Sequence, residues 1–141
     1  MTKEFEVPAV EGWKEVAGWI IEHYPNGTII LLKGTLGSGK TTLVKAMAAR
    51  LGIEASVTSP TFSLMHRFGE HLTHYDLYRI DLQGFGDMGL FEELDSPGFH
   101  CVEWGEPLGD LLAHYGLPFA TLTISIKEDS RHATWSDHAH P

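Results

Sequence analysis

Apolar residues in this chain come in short runs whose period switches between helical and strand spacing. Phe5 and Val7 predict a short edge strand stopped by Pro8. From Val10 to Tyr24, residues Trp13, Val16, Ala17, Ile20 and Ile21 fall on one side of an amphipathic helix, and Pro25-Asn26-Gly27 is a turn. Thr28-Ile29-Ile30-Leu31-Leu32 is a compact β-branched run of the kind that forms a buried parallel strand. Helical spacing returns from Thr42 to Leu51 through Leu43, Ala46, Met47 and Leu51, with Gly52 as the stop. Phe62 to Phe68 alternates as a strand, Gly69-Glu70 supplies a hairpin turn, and His71 to Leu77 returns.

Asp81 to Leu94 mixes glycines with Phe85, Met88, Leu90, Phe91 and Leu94, a pattern that predicts a broken helix. Phe99 to Val102 is a short buried strand running into Glu103-Trp104-Gly105, and Pro107 suits the first turn of a helix over Leu108 to His114. Phe119 to Ile126 alternates as the final well-marked strand. The polar stretch from Lys127 is expected to fray, with Thr134-Trp135 adding at most an edge strand. Strands alternating with helices and interrupted by one hairpin predict an α/β fold with a mixed, mostly parallel central sheet.

Between the strand at Thr28–Leu32 and the next helix lies Gly34 to Thr42, G-T-L-G-S-G-K-T-T. Gly34, Gly39, Lys40 and Thr41 fill the defining places of the phosphate-binding pattern G-x-x-x-x-G-K-[ST]. A loop that wraps phosphates must turn several backbone N–H groups inward, and glycine permits both the turns and the close approach. Lys40 supplies a point charge, the Thr41 hydroxyl suits Mg²⁺, and the following helix presents its positive end. The flanking strand and helix meet the context this motif requires, so the fold class narrows to a P-loop NTPase-like three-layer sandwich.

Such a loop needs carboxylates from neighbouring strand ends, where open α/β sheets build their sites. Asp76 closes His71–Tyr75 and Glu103 closes Phe99–Val102, which makes both candidate catalytic residues beside Lys40, and Glu103 a candidate metal ligand with Thr41. Thr61, constrained by Pro60, offers a hydroxyl either for γ-phosphate sensing or for local turn chemistry. Trp104 is either a stacking surface for nucleotide or partner, or a core residue. The nine histidines show no zinc-like spacing. His71 and His74, three apart on a strand, face opposite ways, and His132, His138 and His140 lie in the polar tail.

At 141 residues the chain is expected to form a single domain (1–141) with little room for a lid or substrate domain. A net charge of −9 repels phosphate backbones, which argues against autonomous binding of DNA or RNA. No secretory signal and no apolar run of transmembrane length is visible. Cys101 is the only cysteine, which excludes an internal disulfide, fits a reducing cytoplasm, and is read as a buried small apolar residue.

Taken together, G-T-L-G-S-G-K-T-T, S-P-T-F (59–62), Y-D-L-Y-R (75–79) and V-E-W (102–104) make the chain resemble the TsaE family, also called YjeE, between the first helix and Ile126. The resemblance implies a P-loop ATPase of bacterial tRNA threonylcarbamoyladenosine synthesis. It implies an ATP site at Gly37, Ser38, Gly39, Lys40, Thr41 and Thr42, Mg²⁺ on Thr41 and Glu103, and functional roles for Asp76, Thr61 and Trp104. It further implies docking on a TsaB–TsaD heterodimer that holds the tRNA, consistent with the acidity of this chain. Family members often carry Asp where Thr35 stands, a departure that leaves the loop's defining residues intact.

A P-loop is compatible with three rival functions. Asn26 is the only asparagine, so a guanine-selective N-K-x-D loop is impossible. A small-molecule kinase would close an arginine-rich lid, whereas the only arginines are Arg50, Arg67, Arg79 and Arg131. A nucleotide-dependent binding module stays open, since a P-loop binds ATP whether or not a water is placed to attack.

Overall fold

The computed structural model describes residues 2–35, 37–54 and 64–138. In chain order these form β1 (Thr2–Val7), α1 (Gly12–His23), β2 (Ile29–Lys33), α2 (Lys40–Arg50), β3 (Met65–Phe68), β4 (Leu72–Asp76), α3 (Leu82–Asp87), α4 (Leu90–Glu93), β5 (Phe99–Glu103), α5 (Glu106–His114), β6 (Phe119–Lys127) and β7 (Ser130–His138). The strands make one sheet in the order β1-β7-β6-β2-β5-β4-β3. Its centre, β6-β2-β5-β4, is parallel, and antiparallel pairs lie on either side. The expected mixed sheet with a parallel centre is therefore present.

Strand alternation divides the core. Ile30 and Leu32 of β2 pack with Leu43, Val44 and Met47 of α2 and with Trp13, Val16 and Ile20 of α1. Ile29 and Leu31 turn to the opposite face, against Phe85 of α3, Leu90 of α4 and Leu108 and Leu112 of α5. Burial on both faces is why β2 reads as an unbroken apolar run. Cys101 is wholly buried in the first of these clusters, its thiol pushed up to about 12 by burial. On the second face the neutral His100 ring accepts the Tyr75 hydroxyl at Nδ1 (2.7 Å) and donates from Nε2 to the Ser96 carbonyl (2.8 Å). Burial lowers the His100 pKa, which keeps that ring neutral.

One expectation fails here. Thr134-Trp135 belongs to a nine-residue strand that lies inside the sheet, not at its edge. β7 pairs with β6 from Phe119↔His138 to Lys127↔Ser130, and β1 adds outside it. Only Ala133 and Trp135 are buried along β7, too sparse an apolar signal to mark the strand from sequence. The expected strand from Phe62 is seen from Met65 onward, and Phe62 itself lies outside the described residues.

The outer pair carries a pH-dependent fastening. His132 of β7 bonds Glu4 at 3.1 Å and also Glu6, its cross-strand neighbour in β1. Hydrogen bonds to Glu6 and then Glu4 raise the His132 pKa, opposed by desolvation and less by Lys127. A raised folded-state value means that the stabilisation is complete below the unfolded value of about 6.5 and is lost as pH rises through the folded value. Thermal unfolding of the wild type and of His132→Gln should therefore diverge at low pH and converge at high pH. Parallel pH profiles for the two proteins would show that the contact contributes nothing.

Candidate functional site

The loop after β2 is shaped by its glycines. Gly37 and Gly39 adopt φ values of 78° and 121°, which side-chain-bearing residues rarely take. A Cβ on Gly34 would lie 2.5 Å from Ser38 Oγ and 2.9 Å from the Ile124 carbonyl, and one on Gly39 would lie 2.6 Å from the Trp13 ring. The loop is thus pressed between β6 and α1, and no larger residue fits at either position.

α2 begins at Lys40 with no side-chain cap and no acidic residue in its first turn. The N–H groups of Lys40, Thr41 and Thr42 precede the first i→i−4 bond, which Leu43 makes to Gly39 at 2.9 Å. Among the described residues these N–H groups have no acceptor, so their partial positive charge faces the loop. Ser38 Oγ is buried with no hydrogen-bond partner among the described residues. Bare amides, a helix N-terminus and an unsatisfied hydroxyl together make an anion cradle.

Lys40 crosses this cradle. Its side chain is 5% exposed, and Nζ donates to the Gly34 carbonyl at 2.7 Å. Nζ also lies 3.8 Å from Glu103 Oε1 and 4.2 Å from the centre of the Trp104 ring. The sheet explains the meeting, because β2 and β5 are adjacent and parallel, and their C-terminal ends deliver the loop and Glu103 side by side. Trp104 takes a left-handed φ of 60° just past the strand, and its ring also packs 5.0 Å from that of Tyr78. The tryptophan is half-buried and covers the lysine, lying between the two roles its sequence position suggested.

Asp76 is the register partner of Glu103 across β4 and β5. Its Oδ1 accepts the Tyr78 N–H at 3.0 Å, an Asx-type turn at the strand end. Thr61, and with it the S-P-T-F segment, lies outside the described residues. The structure therefore gathers Gly37 to Thr42, Glu103 and Trp104 around Lys40, with Asp76 at the adjoining strand end.

Two further residues join the site. Arg131 of β7 donates from Nε to the Ser38 carbonyl (3.1 Å) and from Nη2 to the Gly37 carbonyl (3.3 Å). Engaging these carbonyls holds their negative ends away from any anion in the loop. His74, fully buried on β4, contacts Glu103 Oε2 through Nε2 at 2.5 Å. Alternation alone would have placed His74 on the face of Asp76, two residues on. A cleft of about 200 Å³ opens beside the loop, bounded by Val10, Trp13, Gly39, Thr42, Asp129 and Arg131 among others.

The sequence and the fold are similar to those of known proteins. The family profile described as threonylcarbamoyl adenosine biosynthesis protein TsaE matches residues 7–135. The chain belongs to the TsaE family. That match runs past Ile126 into β7, so the TsaE likeness includes a segment the sequence motifs did not reach. The tRNA threonylcarbamoyladenosine biosynthesis protein TsaE of Treponema pallidum is 38% identical over 118 residues, covering 82% of each chain. That of Mycobacterium tuberculosis is 35% identical over 144 residues, 92% of this chain and 84% of the relative. The crystal structure of Bacillus subtilis YdiB superposes with a TM-score of 0.77 at 25% identity, covering 100% of this chain and 87% of that one. TsaE-family membership places the chain among proteins named for threonylcarbamoyladenosine biosynthesis. Among the described residues no helix of this TsaE-family chain is long and apolar enough to cross a membrane.

Proposed function

We propose that this chain is a single-domain ATPase that binds Mg·ATP at Gly34–Thr42 and hydrolyses it slowly in support of tRNA threonylcarbamoyladenosine synthesis in the cytoplasm. The convergence of Lys40 and Glu103 on the mouth of the uncapped α2 N-terminus carries this reading. The residues fit the ligand. The loop amides and Lys40 would hold the phosphate tail, and Thr41 with Glu103 would hold Mg²⁺. The adjoining cleft has room for the base against Trp13 and Thr42.

Mg²⁺ bound there would offset negative charge developing on the phosphate oxygens. Lys40 would exchange the Gly34 carbonyl for phosphate oxygen, and Trp104 would shield that charge from solvent. Asp76 would orient the attacking water, and Thr61 would report the terminal phosphate to a docked partner. Water attack at the terminal phosphorus breaks its bond to the bridging oxygen, giving ADP and inorganic phosphate. The TsaB–TsaD heterodimer is the proposed partner. At a net charge of −9, contact with tRNA would come through that pair.

The test is ATP hydrolysis by the purified protein alone and after adding TsaB–TsaD from the same organism. Slow turnover that changes on addition supports the proposal. Fast turnover indifferent to those partners points to a stand-alone phosphotransferase.

A further inference from the structure

Glu103 has two carboxylate oxygens, and the structure treats them differently. Oε2 is fastened to His74 Nε2 at 2.5 Å, while Oε1 stands 3.8 Å from Lys40 Nζ at the loop. The terminal torsion of a glutamate is broad and has no strong staggered preference, so an unfastened carboxylate samples many orientations. We propose that His74 is a positioning residue: its ring holds one oxygen of Glu103 so that the other faces the phosphate loop and the metal bound there. The inference rests on the reading of Glu103 as a Mg²⁺ ligand and adds a residue to it.

Three observations support the assignment. His74 is fully buried between strands, where an apolar side chain would pack without any polar group to satisfy. Its Nδ1 is buried with no hydrogen-bond partner among the described residues, so Glu103 is the polar contact that orients the ring. That arrangement also selects the tautomer. A carboxylate oxygen accepts only, so Nε2 carries a proton. Finally, the register is diagonal. His74 pairs with Cys101 and Asp76 with Glu103, which lets the ring reach along the sheet face from beneath Glu103. The contact thus approaches the carboxylate from the sheet, and Oε1 faces Lys40 at the start of α2.

The experiment compares His74→Gln with His74→Asn. The glutamine amide reaches the position of Nε2 and keeps a donor on Glu103, whereas the shorter asparagine does not. The measurement is calorimetric binding of a non-hydrolysable ATP analogue across a Mg²⁺ series, with Glu103→Gln alongside. Loss of a residue that orients a metal ligand lowers metal affinity about 10–100-fold. His74→Asn should raise the Mg²⁺ half-saturation by that factor and leave Mg²⁺-free analogue binding unchanged. His74→Gln should lie near wild type.

A Mg²⁺ dependence shifted by Glu103→Gln but identical in both His74 variants and wild type overturns the positioning role alone. Failure of wild type to bind the analogue, or an unshifted Glu103→Gln, overturns the metal-site reading and the positioning role with it. A second measurement needs no substitution to fold. Nitrogen-15 histidine spectra of wild type should show His74 protonated at Nε2, and a proton on Nδ1 alone would overturn the proposal.

Discussion

Lys40→Ala will weaken ATP binding by about a hundredfold. The ammonium is 5% exposed and enclosed by the Gly34 carbonyl, Glu103 and the Trp104 ring, so its charge acts where water screens poorly. Truncating one member of a desolvated charge pair costs about 2–5 kcal/mol, and each 1.4 kcal/mol is about tenfold in affinity. Lys40→Arg will not restore the affinity, because a planar guanidinium is bulkier than the ammonium and the site is closed over by Trp104. Calorimetry with ATP measures both variants, with circular dichroism to show that the sheet is intact. Unchanged affinity in Lys40→Ala would remove the phosphates from this loop.

Glu103→Gln is expected to separate binding from turnover. The glutamine carbonyl can still accept the His74 N–H, so the shape of the site survives while its one buried carboxylate beside Lys40 is neutralised. Removing a single electrostatic stabiliser at a reacting centre lowers the catalytic rate by about 10²–10³-fold. ATP affinity in the absence of Mg²⁺ should hold or improve, since a negative charge near the phosphates has gone. Single-turnover hydrolysis with saturating nucleotide isolates the step. Full hydrolysis by the variant would assign the metal to another residue.

The parts of this site that were legible from sequence are those encoded locally. β2, the glycine loop and α2 are contiguous, so their apolar run, turn residues and helical spacing announce one another. Glu103 was legible because it ends a short apolar strand. His74 carries no local signal, since its spacing from His71 says only that the two face opposite ways. Its partner is 29 residues distant and is set by the parallel register of β4 and β5, which no local pattern encodes. Arg131 depended on β7, whose place in the sheet comes from pairing with β6 and β1 and not from its own weak apolar signal. Trp104 over Lys40 requires a left-handed backbone, a conformation that a tryptophan codon does not advertise.

The grip of Arg131 on the phosphate loop sets a timetable for the ribosome. Synthesis runs from β1 to β7, yet among the described strands β1 has only β7 as its neighbour, and the Ser38 carbonyl is held by a residue 93 positions later. At about 5–20 residues per second, β1 waits on the order of ten seconds for its partner. A nascent chain that has emerged as far as α5 carries the whole glycine motif but neither β6, against which Gly34 is pressed, nor the guanidinium that secures the loop. The contacts that hold the glycine loop are therefore among the last to be completed during translation.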